Sequence, residues 1–185
     1  RASLVFDRRD WLDLARGAFA FVRDRMTEGG RLRHAWRKDR LAHPATLDDY
    51  ANMVRAAIAL HEATGEGACL DQARAWVAVL DRHYWDAGAG GYFFTADDTT
   101  DVIARTKTAN DNAVPAGNGT MVGALTRLYH LTGEDSYRDR AEALVRLFSG
   151  ELQRSFFPLA TLINNAELMH RPLQIEVAGR RGAGA

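Results

Sequence analysis

An internal repeat is the feature that most constrains the fold of this chain. When residues 47–84 are shifted by 68 positions onto residues 115–152, without a gap, eleven of the 38 positions are identical. The matches include the triplet Thr64-Gly65-Glu66, which recurs as Thr132-Gly133-Glu134. Self-similarity at a fixed period indicates a structural unit that stacks on copies of itself.

Each unit is predicted to be a helical hairpin. Residues 47–64 place apolar side chains at helical spacing, and Gly65 supplies the left-handed residue that ends a helix. Residues 69–84 form a second helix with one apolar stripe and one charged side. The first helix is the more apolar, so we expect it to be the inner helix of an antiparallel pair.

The longer loops connect an outer helix to the next inner helix, so we expect them to gather at one end, here called the mouth. Gly90–Thr95 resembles a short strand after a tight turn, with Val102–Ala104 as its partner. Gly29–Leu32 begins the equivalent loop of the preceding unit. Binding groups usually lie on loops at one end of a rigid scaffold.

The helix count predicts an incomplete ring. Residues 156–168 read as a third inner helix, and residues 173–177 alternate like a strand. Three outer and three inner helices make an all-α partial toroid over residues 1–178, followed by a flexible tail at 179–185. Because half a ring leaves apolar flanks uncovered, we expect missing sequence or a second copy to cover them.

Composition excludes several classes of function. Twenty-four basic residues balance 24 acidic ones, which argues against nucleic acid or a membrane surface as a partner. The basic run from Arg31 to Arg40 is interpreted as a solvated surface loop. Cys69 is the single cysteine, so no intramolecular disulfide forms, and a cytoplasmic location is expected. The six histidines lack metal-ligand spacing, and no cofactor or metal is expected.

The first candidate site is the start of the inner helix at Leu47. Asp48 and Asp49 are adjacent carboxylates that suit general acid or base chemistry. Thr46 and Asp49 also have the spacing of a helix capping box, and acidic groups in a first turn favour the helix dipole. Capping and catalysis both remain open here.

The second candidate site is the segment from Asn110 to Gly119, which opens the next inner helix. Pro115 suits a first helical turn, and Asp111 or Asn112 could cap it. Asn112 and Asn118 could instead hydrogen-bond to sugar hydroxyls. Ligand contact and tight packing are both consistent with this composition.

A third cluster combines Arg105 with the aromatic side chains of Trp36, Tyr92 and Phe94, for stacking on sugars or for filling the mouth.

Three motifs together resemble a known family. Asp48–Ala51 (DDYA), Gly90–Thr95 (GGYFFT) and Asp111–Gly119 (DNAVPAGNG) resemble the C-terminal region of thioredoxin-domain-containing proteins related to spermatogenesis-associated protein 20. The resemblance implies an (α/α)6 barrel similar to N-acylglucosamine 2-epimerases and six-hairpin glycosidases. By position it implies mouth residues, namely Asp48, Asp49, Tyr50, Arg105, Asp111, Asn112 and Asn118. The family's thioredoxin-like region is absent from this chain, and we expect it to be a partner.

Two classes of function follow. The first is a carbohydrate-active enzyme of the epimerase or glycosidase type, with Asp48, Asp49 and Asp111 as its acids and a small carbohydrate as its ligand. A glycosidase needs two carboxyl groups about 5–9.5 Å apart. The second is a non-catalytic binding or assembly scaffold attached to a thioredoxin-like domain.

Overall fold

The computed structural model describes residues 1–100 and 102–172, and it confirms an all-α partial toroid. Three outer helices alternate with three inner ones, and a small antiparallel sheet lies between the first outer and the first inner helix. The elements are α1 (Ala2–Val5), α2 (Arg9–Arg25), β1 (Thr27–Glu28), β2 (Arg31–Arg37), β3 (Arg40–Pro44), α3 (Leu47–Thr64), α4 (Gly67–His83), α5 (Gly117–Thr132), α6 (Asp135–Leu152), a 3-10 helix (Phe157–Leu159) and α7 (Ala160–His170).

The repeated Thr-Gly-Glu triplets end the inner helices α3 and α5 as predicted. Gly65 and Gly133 both adopt the left-handed conformation, each with φ of 74°. The hydroxyls of Thr64 and Thr132 donate to carbonyls four residues back, at 2.8 and 2.7 Å. Each hydroxyl also accepts from the amide of the following glutamate, at 3.2 Å. The repeat therefore preserves a complete helix-ending motif.

Matching ion pairs join each of the first two outer helices to the next hairpin. Arg16 of α2 bonds to Glu66 at 2.5 Å, and Arg74 of α4 bonds to Glu134 at 2.6 Å. Exposed pairs of this kind contribute little stability, about 0–1 kcal/mol each. Their recurrence shows that consecutive hairpins stack with the same geometry.

The inner helices form the core. Tyr50, Val54 and Ile58 of α3 are almost completely buried, and α5 is buried along most of its length. A side chain at Gly119 would lie 3.0 Å from the backbone nitrogen of Leu162. The absence of a side chain therefore allows α5 and α7 to pack closely.

The third inner helix forms close to its predicted position. The segment predicted at 156–168 is helical, but it begins with the 3-10 turn Phe157–Leu159 before α7 continues to His170. The strand predicted at 173–177 and the tail at 179–185 lie outside the described residues.

The predicted strand pair in the loop after α4 is wrong. Residues 90–95 form an irregular loop with one isolated bridge, between Trp85 and Tyr92. Gly90 and Gly91 both have positive φ, and the Phe94 amide donates to the Thr106 carbonyl at 2.8 Å. Pairing with Thr106 rather than with residues 102–104 reflects the burial of Tyr92, which anchors the loop against α5.

The basic run from Arg31 to Arg40 is a β-hairpin rather than a loop, and this corrects the expectation. Strand β2 pairs with both β1 and β3 in an antiparallel sheet of order β1-β2-β3. Arg31 pairs with Asp98, and Arg33 pairs with Glu28. Acidic partners therefore neutralise part of the basic run.

Among the residues that the structure describes, nothing covers one flank of the toroid. A groove of about 460 Å³ runs between α2 and α3, lined by apolar side chains such as Leu12, Phe19 and Met53. Leu4, Phe6 and Leu14 are also exposed on the first helices.

In the described residues, no helix combines the length and the hydropathy needed to cross a bilayer.

Candidate active site

A cavity of about 270 Å³ lies at the mouth, where α3 and α5 begin. It is here called the Asp48 cavity. Its walls come from the start of α3, the loop after α4 and the segment that precedes α5. The lining residues are Leu47, Asp48, Phe94, Thr108, Asn110, Asn112, Val114, Ala116 and Asn118.

Asp48 is the carboxylate that lines this cavity among the described residues. Its Oδ1 accepts a hydrogen bond from the Gly117 amide at 2.7 Å. Burial raises the pKa of Asp48, the Gly117 hydrogen bond opposes that rise, and the negative charge of Asp49 adds to it. A half-buried carboxyl with a raised pKa beside a cavity is suited to general acid or base chemistry.

Asp49 serves the helix start. Its Oδ2 accepts from the Thr46 amide at 2.7 Å and from the Thr46 hydroxyl at 2.9 Å, which completes the predicted capping box. The same oxygen contacts His34 Nδ1 at 2.8 Å. Asp49 is thus adjacent to Asp48 in sequence, but its Oδ2 is committed to capping and to the hairpin.

Asp111 connects two inner helices. Its Oδ1 accepts from the Ala116 amide at 2.9 Å, just before α5, and its Oδ2 accepts from the Thr161 amide at 2.8 Å, in the first turn of α7. Helix α5 begins at Gly117, so Pro115 precedes the helix instead of occupying its first turn. The structure therefore places Asp111 as a clamp, with both carboxylate oxygens bonded to backbone.

Asn118 is completely buried, and its side chain holds the loop after α4. Its Oδ1 accepts from the Tyr92 amide at 3.0 Å, while Nδ2 donates to the carbonyls of Tyr92 at 3.0 Å and Thr108 at 2.9 Å. Asn112, by contrast, is exposed at the cavity. Asn110 opens the second candidate segment but was given no binding role there, and it is exposed beside Asn112. Asn110 and Asn112 flank Asp111 and both line the cavity, so the Asn-Asp-Asn sequence is the signal that could have assigned Asn110 a binding role.

The predicted aromatic residues are separated. Phe94 lines the Asp48 cavity. Tyr50 is completely buried, and its hydroxyl accepts from the Leu32 amide at 2.9 Å. Trp36 lies on β2 and lines a different cleft. The structure therefore brings Phe94 to the cavity, whereas Tyr50 belongs to the core and Trp36 to the hairpin.

Arg105 stabilises the loop after α4. Its guanidinium donates to the carbonyls of Thr95 at 3.0 Å and His83 at 2.9 Å, and it lies 4.1 Å from the centroid of the Phe93 ring. Two guanidinium nitrogens of Arg105 are therefore bonded to backbone carbonyls of the loop and of α4.

One group of side chains has the spacing of a metal site. The ligand atoms of His83, Asp97 and Asp98 lie within 4.8 Å of one another. His83 Nδ1 contacts Asp97 Oδ1 at 2.9 Å, and Arg31 pairs with Asp98. A guanidinium already supplies the positive charge there, so we interpret the group as an ion-pair cluster.

Comparisons with known proteins agree with this architecture. The chain is 33% identical over 135 residues to spermatogenesis-associated protein 20 of Rattus norvegicus, an alignment that spans 72% of this chain and 17% of the rat protein. A family 76 α-mannanase from Bacteroides thetaiotaomicron matches 89% of this chain and 46% of its own, with a TM-score of 0.69 and 15% identity.

A cellobiose 2-epimerase from Spirochaeta thermophila matches 80% of this chain and 39% of its own, with a TM-score of 0.59 and 21% identity. At these identities the two enzymes show the shared fold alone. The chain spans less than half of each enzyme and about a sixth of the rat protein. A family model, described as glycosyl hydrolase family 76, matches residues 3–168, and the chain belongs to that family.

Proposed function

We propose that the Asp48 cavity binds a sugar and that Asp48 acts there as a general acid or base. The observation that carries the proposal is a half-buried carboxyl of raised pKa, set in a cavity whose other polar walls are amides and hydroxyls. The mannanase and epimerase that share the fold act on carbohydrates by their names, which supports a carbohydrate-active role for this chain.

The cavity offers the groups that sugars require. The side chains of Asn110 and Asn112 each carry an acceptor and two donors, which match the hydroxyls of a pyranose ring. Phe94 supplies an aromatic wall for the apolar face of the ring. Because burial raises the pKa of Asp48, this group holds its proton to a higher pH than a solvent-exposed aspartate does.

The choice between hydrolase and epimerase depends on the second group. Both oxygens of Asp111 accept backbone hydrogen bonds, so the pairing of Asp48 with Asp111 loses support. Asp49 is the remaining acid beside Asp48, and its negative charge already raises the pKa of that neighbour. Asp49 does not line the cavity, and its Oδ2 is bonded to Thr46 and His34. We therefore propose Asp48 as the acid of a hydrolase or as the base of an epimerase.

A binding and turnover experiment tests this proposal. The full chain is titrated by NMR with mannose, an α-linked mannotriose and cellobiose, and compared with Asp48→Asn, which keeps the shape of the side chain. Asp71→Asn, on an exposed position of the outer helix α4, is the matched control. We expect Asp48→Asn to weaken sugar binding at least tenfold and Asp71→Asn to leave it unchanged.

Two assays separate the reaction types. Release of reducing sugar from an α-mannoside indicates a hydrolase, and exchange of the C2 proton in deuterium oxide indicates an epimerase. Either activity, lost in Asp48→Asn, supports the proposal. If Asp48→Asn keeps both the activity and the sugar-induced shifts around the Asp48 cavity, the role of Asp48 is refuted.

A scaffold is the second candidate, favoured by one observation. Asp111, Asn118 and Arg105 all use their side-chain hydrogen bonds to hold backbone segments. If the unmodified chain binds none of the three sugars, while Asp111→Ala lowers the melting temperature, the scaffold explains the motifs better.

A further inference from the structure

The β2–β3 hairpin carries an open cleft of about 520 Å³, here called the hairpin cleft. Glu28, Arg33, Trp36, Asp39, Arg40 and His43 contribute to its walls. Within the described chain, the hairpin cleft and the Asp48 cavity share no lining residue.

Trp36 is held in place before any ligand arrives. Phe21 of α2 packs edge-on against the indole, with ring centroids 5.8 Å apart and planes at 85°. The Arg25 guanidinium lies 5.4 Å from the indole centroid. The indole still lines the cleft, so it offers a preorganised surface whose side-chain entropy is already lost.

Arg33 presents a hydrogen-bond donor without an acceptor. One terminal nitrogen of its guanidinium pairs with Glu28. Its Nε is buried and has no hydrogen-bond partner in the described residues. Because Nε is buried, a ligand in the cleft cannot reach it. The Arg33 side chain as a whole is 32% exposed and lines the cleft, so its guanidinium can donate to a ligand oxygen there.

His43 adds a strained backbone to the same cleft. Its φ is +57°, in the left-handed region, although it lies inside strand β3. The recorded strand pairs Arg33–Pro44 and Ala35–Ala42 flank this position. Backbone strain of this kind is concentrated at functional sites.

The charges of the cleft favour a neutral ligand. Two acidic residues, Glu28 and Asp39, face two basic residues, Arg33 and Arg40. This balance gives no net attraction for phosphate, whereas the many donors and acceptors suit a polyhydroxyl compound. An aromatic platform beside them matches the apolar face of a sugar ring.

We infer that the hairpin cleft is a second carbohydrate-binding site, in which a sugar ring stacks on Trp36 and one of its oxygens accepts from the Arg33 guanidinium. The ligand class rests on the proposed function. The hairpin is tied to the Asp48 end of α3, because His34 of β2 contacts Asp49 at 2.8 Å. The two sites therefore lie at the same end of the toroid, and the protein is suited to oligosaccharides rather than single sugars.

NMR titration of the full chain with an α-linked mannotriose tests this inference. The chain has four tryptophans, and the indole N–H signal of Trp36 is identified by its loss in Trp36→Phe. We expect this signal to shift in the unmodified chain and also in Asp48→Asn. Arg33→Lys keeps the charge opposite Glu28 but lacks the planar guanidinium with its several donors, and we expect about tenfold weaker binding at this site.

A second pair of variants protects the test against misfolding. Trp36→Phe retains an aromatic face, so the sugar-induced shifts of backbone amide signals around the hairpin should persist, with at most threefold weaker binding. Trp36→Ala should abolish these sugar-induced shifts. If sugar moves signals near Asp48 but leaves the Trp36 indole unmoved, the hairpin site is refuted and the proposed function stands. If sugar moves neither set, both fail.

Discussion

The Asp48 carboxylate accepts a hydrogen bond from the Gly117 amide at 2.7 Å, across 69 residues of sequence. This contact joins the starts of α3 and α5, the inner helices of two consecutive units. It also fixes the side chain of Asp48 at the edge of the cavity. The candidate acid is therefore positioned by the same bond that aligns the repeat.

Gly117→Ala should disturb this junction. A side-chain carbon at Gly117 would lie 2.5 Å from Leu47 Cγ and 2.6 Å from Asp48 Oδ1. Overpacking of this kind costs about 1–3 kcal/mol of unfolding free energy, which chemical denaturation measures.

Gly150→Ala is the matched control for Gly117→Ala. Gly150 also lies in a helix, but nothing lies within 4 Å of the carbon it would gain. We expect it to stabilise the chain by up to about 1 kcal/mol, since alanine favours helix more than glycine does. Equal effects of the two substitutions would contradict the close packing at Gly117.

Asp111→Ala should destabilise two helix starts at once. It removes the acceptor of the Ala116 and Thr161 amides. Both amides are partly buried, and a hydrogen bond to a charged group contributes about 1.5–3 kcal/mol, so denaturation should show a loss of about 2–4 kcal/mol. Asp111→Asn retains one carbonyl oxygen and should lose less. An unchanged stability in Asp111→Ala would refute the clamp.

Asp86 should make the fold sensitive to acid. The hydrogen bond from Lys107, aided by the amides of Ala89 and Gly88, lowers the pKa of Asp86 to about 2. A carboxyl whose pKa is lowered in the folded state stabilises the fold above its unfolded value, near 3.8, and that contribution is lost as pH falls towards 2. Asp86→Asn should therefore flatten the decline in melting temperature between pH 4 and pH 2.

Asp48 should give the stability of the fold the opposite dependence on pH. Burial raises its pKa in the folded chain, so the folded state binds the proton more tightly than the unfolded state does. Stability then falls as pH rises from the unfolded value through the folded one. In Asp48→Asn this fall should disappear from the melting profile. A steeper fall in the variant would refute the raised pKa.

The apolar groove between α2 and α3 should drive self-association of the isolated chain. We propose that a second copy covers it. Ala18 is exposed and lines the groove, and Ala18→Glu should shift the chain towards monomer in size-exclusion chromatography with light scattering. Gly17→Glu is the control, because it adds the same charge at the neighbouring position outside the groove lining. A side-chain carbon at Gly17 would have no atom within 4 Å. Equal effects of both would refute the groove as the interface.

The hairpin units could be predicted because their signals are local. The inner helix expected at residues 47–64 forms with those bounds, and Gly65 ends it as its position in the repeat requires. The strand pair at residues 90–95 could not be predicted correctly. Its path is set by Asn118, whose side chain bonds to Tyr92 from 26 residues away.

The site was predictable only in part, for a related reason. Carboxylates and amides at helix starts are visible in the sequence, and Asp48 and Asn112 do line the cavity. The sequence does not show how each side chain uses its hydrogen bonds. The bond from Thr161 to Asp111 crosses 50 residues. The catalytic and binding roles themselves stay predictions.

The side-chain amide of Asn118 holds the loop after α4 through backbone atoms of Tyr92 and Thr108 alone. Backbone atoms are the same whatever residue carries them. Exposed positions of that loop, such as Asn110 and Asn112, are therefore free to mutate without altering its path. Because the hydrogen bonds that hold the loop do not involve these exposed side chains, substitutions at the mouth can change the ligand preference while the toroid keeps its structure.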